Sequence, residues 1–266
     1  MSTIKKFKER INFYFEDLTT PMGKAFDFVV IVLIFLVCTI FVLKTYNLPE
    51  RLARTLDWAE TVITVIFIIE YLLRFWVAQN KFKHFFHIYS LIDLAAIVPL
   101  FFAQQHFQVI RVFRALRIIR LSRFLDNRHF FFGSLKPIHL IIFRIIYIMV
   151  SIIFVSAGLI FYAEHKINPG NFSNFFDGVY FSVVTLTTVG FGDIAPVSTY
   201  GKIITMCIII SGIVFIPWQV RNLIAHSIDS LSKVPLTCKE CGLDYHERDA
   251  THCKHCGSPI HHHQII

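Results

Sequence analysis

The chain has 266 residues, 55% of them hydrophobic and 29 of them Phe, and its mean hydropathy of +0.59 is too high for a soluble domain, so a multi-pass integral membrane protein is expected. A net charge of +8 could serve nucleic acid, but the basic residues gather at the ends of apolar runs and inside one of them, which excludes that partner and points to membrane lipids. The six cysteines divide into Cys38 and Cys207 within apolar runs and four near the C-terminus, so no disulfide framework is implied and nothing resembles a catalytic constellation.

Residues 1–23 mix Lys5, Lys6, Lys8 and Arg10 with Ile4, Phe7, Ile11, Phe13 and Phe15, a pattern expected of an N-terminal segment lying on the inner membrane surface. Apolar runs follow at about 25–43, 61–76, 88–103, 109–125, 139–163 and 203–220. A shorter stretch at 175–187 cannot cross a hydrocarbon core that needs about 20 residues. Six spans and one re-entrant helix are therefore expected. The Lys and Arg of the N-terminal segment and of the loop after the second run place both termini in the cytoplasm. Asp27, near the start of the first run, reads as interfacial, and Arg144 in the fifth as snorkelling to the inner interface.

The fourth run carries Arg111, Arg114, Arg117, Arg120 and Arg123 at every third position, separated by apolar pairs such as Val112–Phe113 and Ile118–Ile119. Each guanidinium costs at least about 2.5 kcal/mol at the bilayer centre, so a function is the default explanation. A period of three drifts about 60° per step on an α-helix but stacks in one line on a 3-10 helix. Either path lets one charge succeed another past a fixed point. Moving one charge through 100 mV is worth about 2.3 kcal/mol, which makes such a row a carrier of gating charge. Glu60 and Glu70 on the second run and Asp93 on the third are the expected counter-charges.

Thr187–Thr188–Val189–Gly190–Phe191–Gly192–Asp193 sets two glycines on alternate positions behind the short apolar stretch. Irregular backbone at membrane depth is tolerated only where it lines a built cavity, and glycine admits left-handed φ without a Cβ penalty. These seven residues resemble the selectivity filter of potassium channels, in which a ring of carbonyls replaces the hydration shell of K⁺. The resemblance assigns Thr188 a hydroxyl and a carbonyl ligand, Val189, Gly190 and Phe191 carbonyl ligands, Gly192 the last turn and Asp193 a negative charge at the outer mouth. Because each chain supplies one filter segment, it also implies a homotetramer. Two departures stand out: Phe191 replaces the commoner Tyr, and Tyr180–Phe181 replace a frequent Trp pair. The hydroxyl that ties the filter to its supporting helix is therefore expected to be missing.

The set Glu60, Phe67, Glu70, Arg74 and Ile92–Asp93–Leu94 is similar to the voltage-sensor family. There a Phe plugs the field, and an inner Glu and Asp form a charge-transfer site, the roles implied for Phe67, Glu70 and Asp93. In the sixth run Gly212 and Pro217 weaken the helix, one for want of a side chain and the other for want of an N–H. They are the expected gate hinge, although Ile216–Pro217–Trp218 stands where relatives often carry Pro-Val-Pro.

Near the C-terminus Cys238-Lys-Glu-Cys241-Gly242 and Cys253-Lys-His-Cys256-Gly257 form two CxxC pairs. This pattern resembles a zinc ribbon in which Cys238, Cys241, Cys253 and Cys256 hold one structural Zn²⁺. His246, His252, His255 and His261–His263 are expected to face solvent. The ribbon's task is open: assembly, docking of an unknown cytoplasmic partner, or response to zinc or oxidants.

The expected fold is thus an all-α membrane protein. Residues 1–23 are an interfacial segment, 24–125 a four-helix voltage-sensor domain, 126–138 a linker, 139–226 a two-helix pore domain with re-entrant helix and filter loop, and 236–260 a small zinc ribbon. The expected function is a voltage-gated, K⁺-selective channel of a bacterial plasma membrane, an internal membrane being the other option. The alternative is a voltage-insensitive K⁺ leak channel regulated through the ribbon. A secondary transporter fits less well, since only one half carries a re-entrant element.

Overall fold

The computed structural model describes residues 21–78, 80–101, 114–125, 137–247 and 250–260. Most of the N-terminal segment, Arg111, most of the 126–138 linker and His261–His263 lie outside the described residues. Helix α1 (Pro21–Leu43) opens on a proline, whose fixed φ suits a first helical position. Helix α2 (Glu50–Val77) follows extended Pro49 and begins eleven residues before the apolar run at 61. Its first turns are polar, so hydrophobicity alone set the start too late. Short α3 (Lys81–Phe85) leads to α4 (Ile88–Phe101).

Of the two geometries left open by the spacing of the arginines, the stretch that holds Arg117 and Arg120 adopts the tighter. Ala115–Leu121 is a 3-10 helix, and α5 (Ser122–Leu125) continues it. Three residues per turn stack Arg117 and Arg120 in one line. Around this segment Val30, Ile34 and Val37 of α1, Ile63 and Phe67 of α2, and Ile118, Leu121 and Phe124 form one apolar core.

Helix α6 (Pro137–Glu164), the short α7 (Phe175–Leu186) and α8 (Thr199–Ser232) build a second layer. Asn174 caps α7: its side chain accepts from Phe176 N at 2.8 Å, and Asp177 accepts from Asn174 N at 3.0 Å, which satisfies otherwise orphaned donors at the helix start. Ile160, Phe172, Phe181, Leu186 and Ile208 pack behind α7. The two layers meet where Phe41 of α1, Ala115, Ala157 of α6 and Phe175 of α7 form a further buried cluster. There Thr45 Oγ1 accepts from Phe175 N at 3.2 Å.

Gly23–Leu43, His139–Glu164 and Thr199–Arg221 are long and apolar enough to cross a membrane. Helix α2 is longer but carries charge, and α4 and the arginine segment are described only in part. Phe28, Phe35, Phe143 and Ile146 are exposed on α1 and α6, the dress of helices whose solvent is hydrocarbon. Helix α8 runs unbroken through Gly212 and Pro217 and leads directly into β1 (Lys233–Pro235), which pairs antiparallel with β2 (Tyr245–Glu247), Val234 opposite His246. The strand pair thus draws residues 233–235 into the ribbon expected over 236–260.

Candidate functional site

Four of the five arginines lie among the described residues, and every one is paired. Arg114 Nη1 reaches Glu60 Oε2 at 3.3 Å, and Arg117 Nη1 reaches Glu60 Oε1 at 3.0 Å. One turn further in, Arg120 binds Glu70 Oε2 at 3.0 Å and Asp93 Oδ1 at 2.7 Å, while Arg123 binds Glu70 Oε1 at 2.7 Å and Asp93 Oδ2 at 3.0 Å. Arg117 and Arg120 are 2% and 1% exposed. Buried charges persist only when paired and hydrogen-bonded, and removing one partner of such a pair costs about 3–5 kcal/mol. Phe67 separates the two carboxylate stations: its ring centroid lies 4.1 Å from the Arg120 guanidinium carbon. Glu60, Phe67, Glu70 and Asp93, singled out as counter-charges and by resemblance to the voltage-sensor family, therefore converge on the arginine row.

Two fixed cations flank the row. Arg74 binds Glu70 Oε1 at 3.0 Å. Lys44, just past the end of α1, binds Glu60 Oε2 at 2.5 Å and also the Asp57 carboxylate. Sequence reasoning missed Lys44, whose only signal is its position at a helix C-terminus. Asp27 is half-buried in the second turn of α1.

The loop after α7 has a backbone of alternating hand. Thr188, Gly190 and Gly192 have φ of 60°, 59° and 78°. Nothing lies within 4 Å of a Cβ built on either glycine, so conformation and not crowding calls for glycine there. The loop folds back on its helix through Val189 N and Gly190 N, which donate to Val184 O at 3.1 and 3.3 Å. Val189 and Phe191 are exposed in the single chain. The expectation of a missing tie needs correction. Tyr180 Oη donates to Asp193 Oδ2 at 2.7 Å, so a phenol on the helix replaces the one that Phe191 lacks.

Glu164, a residue not singled out from sequence, ends α6 with 0% exposure. Its carboxylate accepts from Val197 N and Ser198 N, both at 3.0 Å, and from Ser198 Oγ at 2.5 Å. A Cβ on Gly201 would collide with it. The loop leaving the glycine segment is thereby clamped to both long helices. Gly212 of α8 is buried against Leu186 at the end of α7, and Arg144 is exposed on α6.

In the ribbon each CxxC-Gly closes a tight knuckle. Gly242 N donates to Cys238 O at 2.9 Å and Gly257 N to Cys253 O at 2.8 Å, with φ of 72° and 75°. The four Sγ atoms lie within 4.8 Å of one another, with Cys238–Cys256 and Cys241–Cys253 at 3.6 Å. A tetrahedron of sulfurs about 2.3 Å from zinc has edges of about 3.8 Å, so the donor set fits Zn²⁺. The Ser258 hydroxyl, together with backbone N–H groups of Cys241 and Glu240, holds the Cys238 thiol down to about 5, which favours the ligating thiolate, whereas Cys241, despite a backbone hydrogen bond from Leu243, is pushed up to about 12 by desolvation and its cysteine neighbours. His246 does not face solvent as expected. It is 1% exposed with Nδ1 2.6 Å from Leu236 O, because alternation along β2 turns it inward opposite Val234. His252 and His255 are exposed.

Comparison with known proteins places this geometry. Residues 23–226 match the family model described as ion transport protein. A hyperpolarization-activated voltage-gated potassium channel of Methanocaldococcus jannaschii is 31% identical over 206 residues, covering 76% of this chain and 93% of that protein. The potassium voltage-gated channel protein Shal of Drosophila melanogaster is 29% identical over 176 residues, 63% of this chain and 31% of its own length. The chain thus spans nearly all of the archaeal relative and under a third of the insect one. With its apolar helices, buried arginine row and glycine loop, the chain belongs to the ion transport protein family, among the voltage-gated potassium channels, as an integral membrane channel and not an enzyme.

Proposed function

We propose that the protein is a K⁺-selective channel opened by movement of the arginine-bearing segment in the membrane field. The observation that carries this reading is the pairing of Arg114, Arg117, Arg120 and Arg123 with two carboxylate stations on either side of Phe67. Equivalent stations along a 3-10 row let the segment advance by three residues and exchange one arginine for the next. Arg111, Arg114, Arg117, Arg120 and Arg123 are the gating charges, Glu60, Glu70 and Asp93 their partners, and Phe67 the plug between them. Residues 24–125 form the voltage sensor, 126–138 the linker and 139–226 the pore domain.

Thr188, Val189, Gly190 and Phe191 line the filter, with Gly192 and Asp193 at its exit. The alternation of φ at 188, 190 and 192 supports this, since it lets successive carbonyls face one side, as a ring of carbonyl ligands requires. Four copies close that ring, with both termini in the cytoplasm. The C-terminal end of α7 adds a negative dipole that favours a cation. Gly212 and Pro217 are the hinge of the inner gate. Cys238, Cys241, Cys253 and Cys256 hold a structural Zn²⁺ that supplies most of the ribbon's folding energy.

Purified protein in a planar bilayer, with K⁺ on one side and Na⁺ on the other, tests the reading. A reversal potential near that of K⁺ and a conductance that varies steeply with voltage, in either direction, are expected. Equal passage of Na⁺, or a flat conductance, would overturn it. A second reading, a voltage-insensitive K⁺ leak governed by the ribbon, is favoured by the direct run of α8 into β1. It predicts current without charge displacement, and current that responds to chelation or oxidation.

A further inference from the structure

Glu60 is 7% exposed and receives three cations. Two, Arg114 and Arg117, belong to the arginine row. The third, Lys44, does not. It follows α1 directly, with Lys44 N donating to Ile40 O at 3.0 Å. The next residue, Thr45, accepts from the first backbone N–H of α7. Lys44 is therefore tethered to the helix that supports the glycine loop and cannot travel with the arginine row.

When the row moves inward by two such steps, Arg114 and Arg117 both leave Glu60 and only Arg111 is left to follow them. A buried carboxylate left short of cations is strongly unfavourable, which would trap the row where Glu60 holds both arginines, as it does here. We propose that Lys44 is the stationary cation that keeps Glu60 neutralised while the arginines come and go, and so sets the voltage at which they leave. Asp57, 67% exposed at its side chain, shares the Lys44 ammonium and tunes how much of it reaches Glu60. The inner station has an equivalent arrangement in Arg74 on Glu70. The proposal rests on the sensor reading above, and it adds a positioning residue outside the arginine row.

The signs follow from charge alone. Without the Lys44 charge, Glu60 holds the arginines harder, so stronger hyperpolarisation is needed to drive them inward. Without the Asp57 charge, Lys44 is released to Glu60 and the arginines leave more readily. Charge displacement should be recorded from the full-length channel with conduction blocked, for the unmodified chain and for Lys44→Gln, Lys44→Arg and Asp57→Asn. Lys44→Gln should move the charge–voltage curve to more negative voltages and slow inward displacement about tenfold, which corresponds to the bonds that must break at Glu60 being stronger by about 1.4 kcal/mol. Asp57→Asn should move the curve the opposite way, and Lys44→Arg should leave it near the unmodified one. Because Asp57 is exposed, its variant still gives an answer if Lys44→Gln fails to fold. Unshifted curves, or shifts of the same sign for the two neutral variants, would overturn the stationary-cation role and leave the sensor reading intact. Absence of charge displacement in the unmodified channel would overturn both.

Discussion

Tyr180 Oη lies 2.7 Å from Asp193 Oδ2, joining the middle of α7 to the exit of the glycine loop. The bond fastens a loop whose other ties to its own helix, from Thr187, Thr188 N, Val189 N and Gly190 N, all lie at its start. Tyr180→Phe removes one hydroxyl and nothing else. The loop should then lose its conducting shape several-fold faster during sustained opening, measured as the rate of current decay at fixed voltage. Asp193→Asn keeps an acceptor oxygen and should fall between the two. A decay rate unchanged in Tyr180→Phe would mean that the loop is held by its neighbours in the assembly instead.

The Glu164 clamp is a matter of stability. Its carboxylate satisfies Val197 N, Ser198 N and Ser198 Oγ in a fully buried place, and each donor left unpaired costs about 1–3 kcal/mol. Glu164→Ala should therefore lower the stability of the purified channel by about 3 kcal/mol or more, read as an earlier thermal transition. Glu164→Gln retains one acceptor oxygen and should lose less. Gly201→Ala should destabilise comparably, because its methyl group meets the same carboxylate. Selectivity should survive in any of these variants that still assembles.

Three long apolar helices, the arginine row and its carboxylate partners were legible because each has a strong physical signature: length in hydrocarbon, the cost of charge there, and a fixed spacing. The second helix start was not, since Glu50–Glu60 is amphiphilic and no apolar run marks it. Lys44, Tyr180 and Glu164 escaped for another reason. Their partners are 13 to 34 residues away in sequence, and ordinary residue types give no hint of which of them will meet. Alternation along three residues of β2 was too short a pattern to place His246 inside the ribbon.

Phe67 offers its ring face to Arg120, centroid to guanidinium carbon 4.1 Å, while Arg120 Nη1 has no hydrogen-bond partner among the described residues. The ring is thus part of what holds this arginine in place. Cation–π attraction is strongest with Trp and is worth about 0.5–2 kcal/mol. Phe67→Trp should slow the departure of Arg120 in either direction, and Phe67→Ala should hasten it, each by several-fold in the kinetics of charge displacement. Equal rates in all three would make Phe67 simple packing.

The ribbon makes the last prediction, through acid. Hydrogen bonds from Ser258 and two backbone amides keep Cys238 at about 5 against an ordinary 9.0, and a backbone N–H of Cys256 likewise draws Cys253 down. A depressed thiol stabilises the fold fully only above its unfolded value; the contribution falls through neutral pH and is gone once pH drops below about 5. Metal release, followed with a chromophoric chelator on the full channel, should therefore rise as pH falls, because protons compete with the metal for the thiolates. Cys238→Ser should lose stoichiometric metal already at neutral pH, since three thiolates no longer close the tetrahedron. Metal release that does not vary with pH would contradict thiolate ligation. Because β1 continues α8 without a break, the same titration read as current separates two tasks for the ribbon. A current that changes with metal loss would make it a regulator of the gate, and one that does not would leave it to assembly or docking.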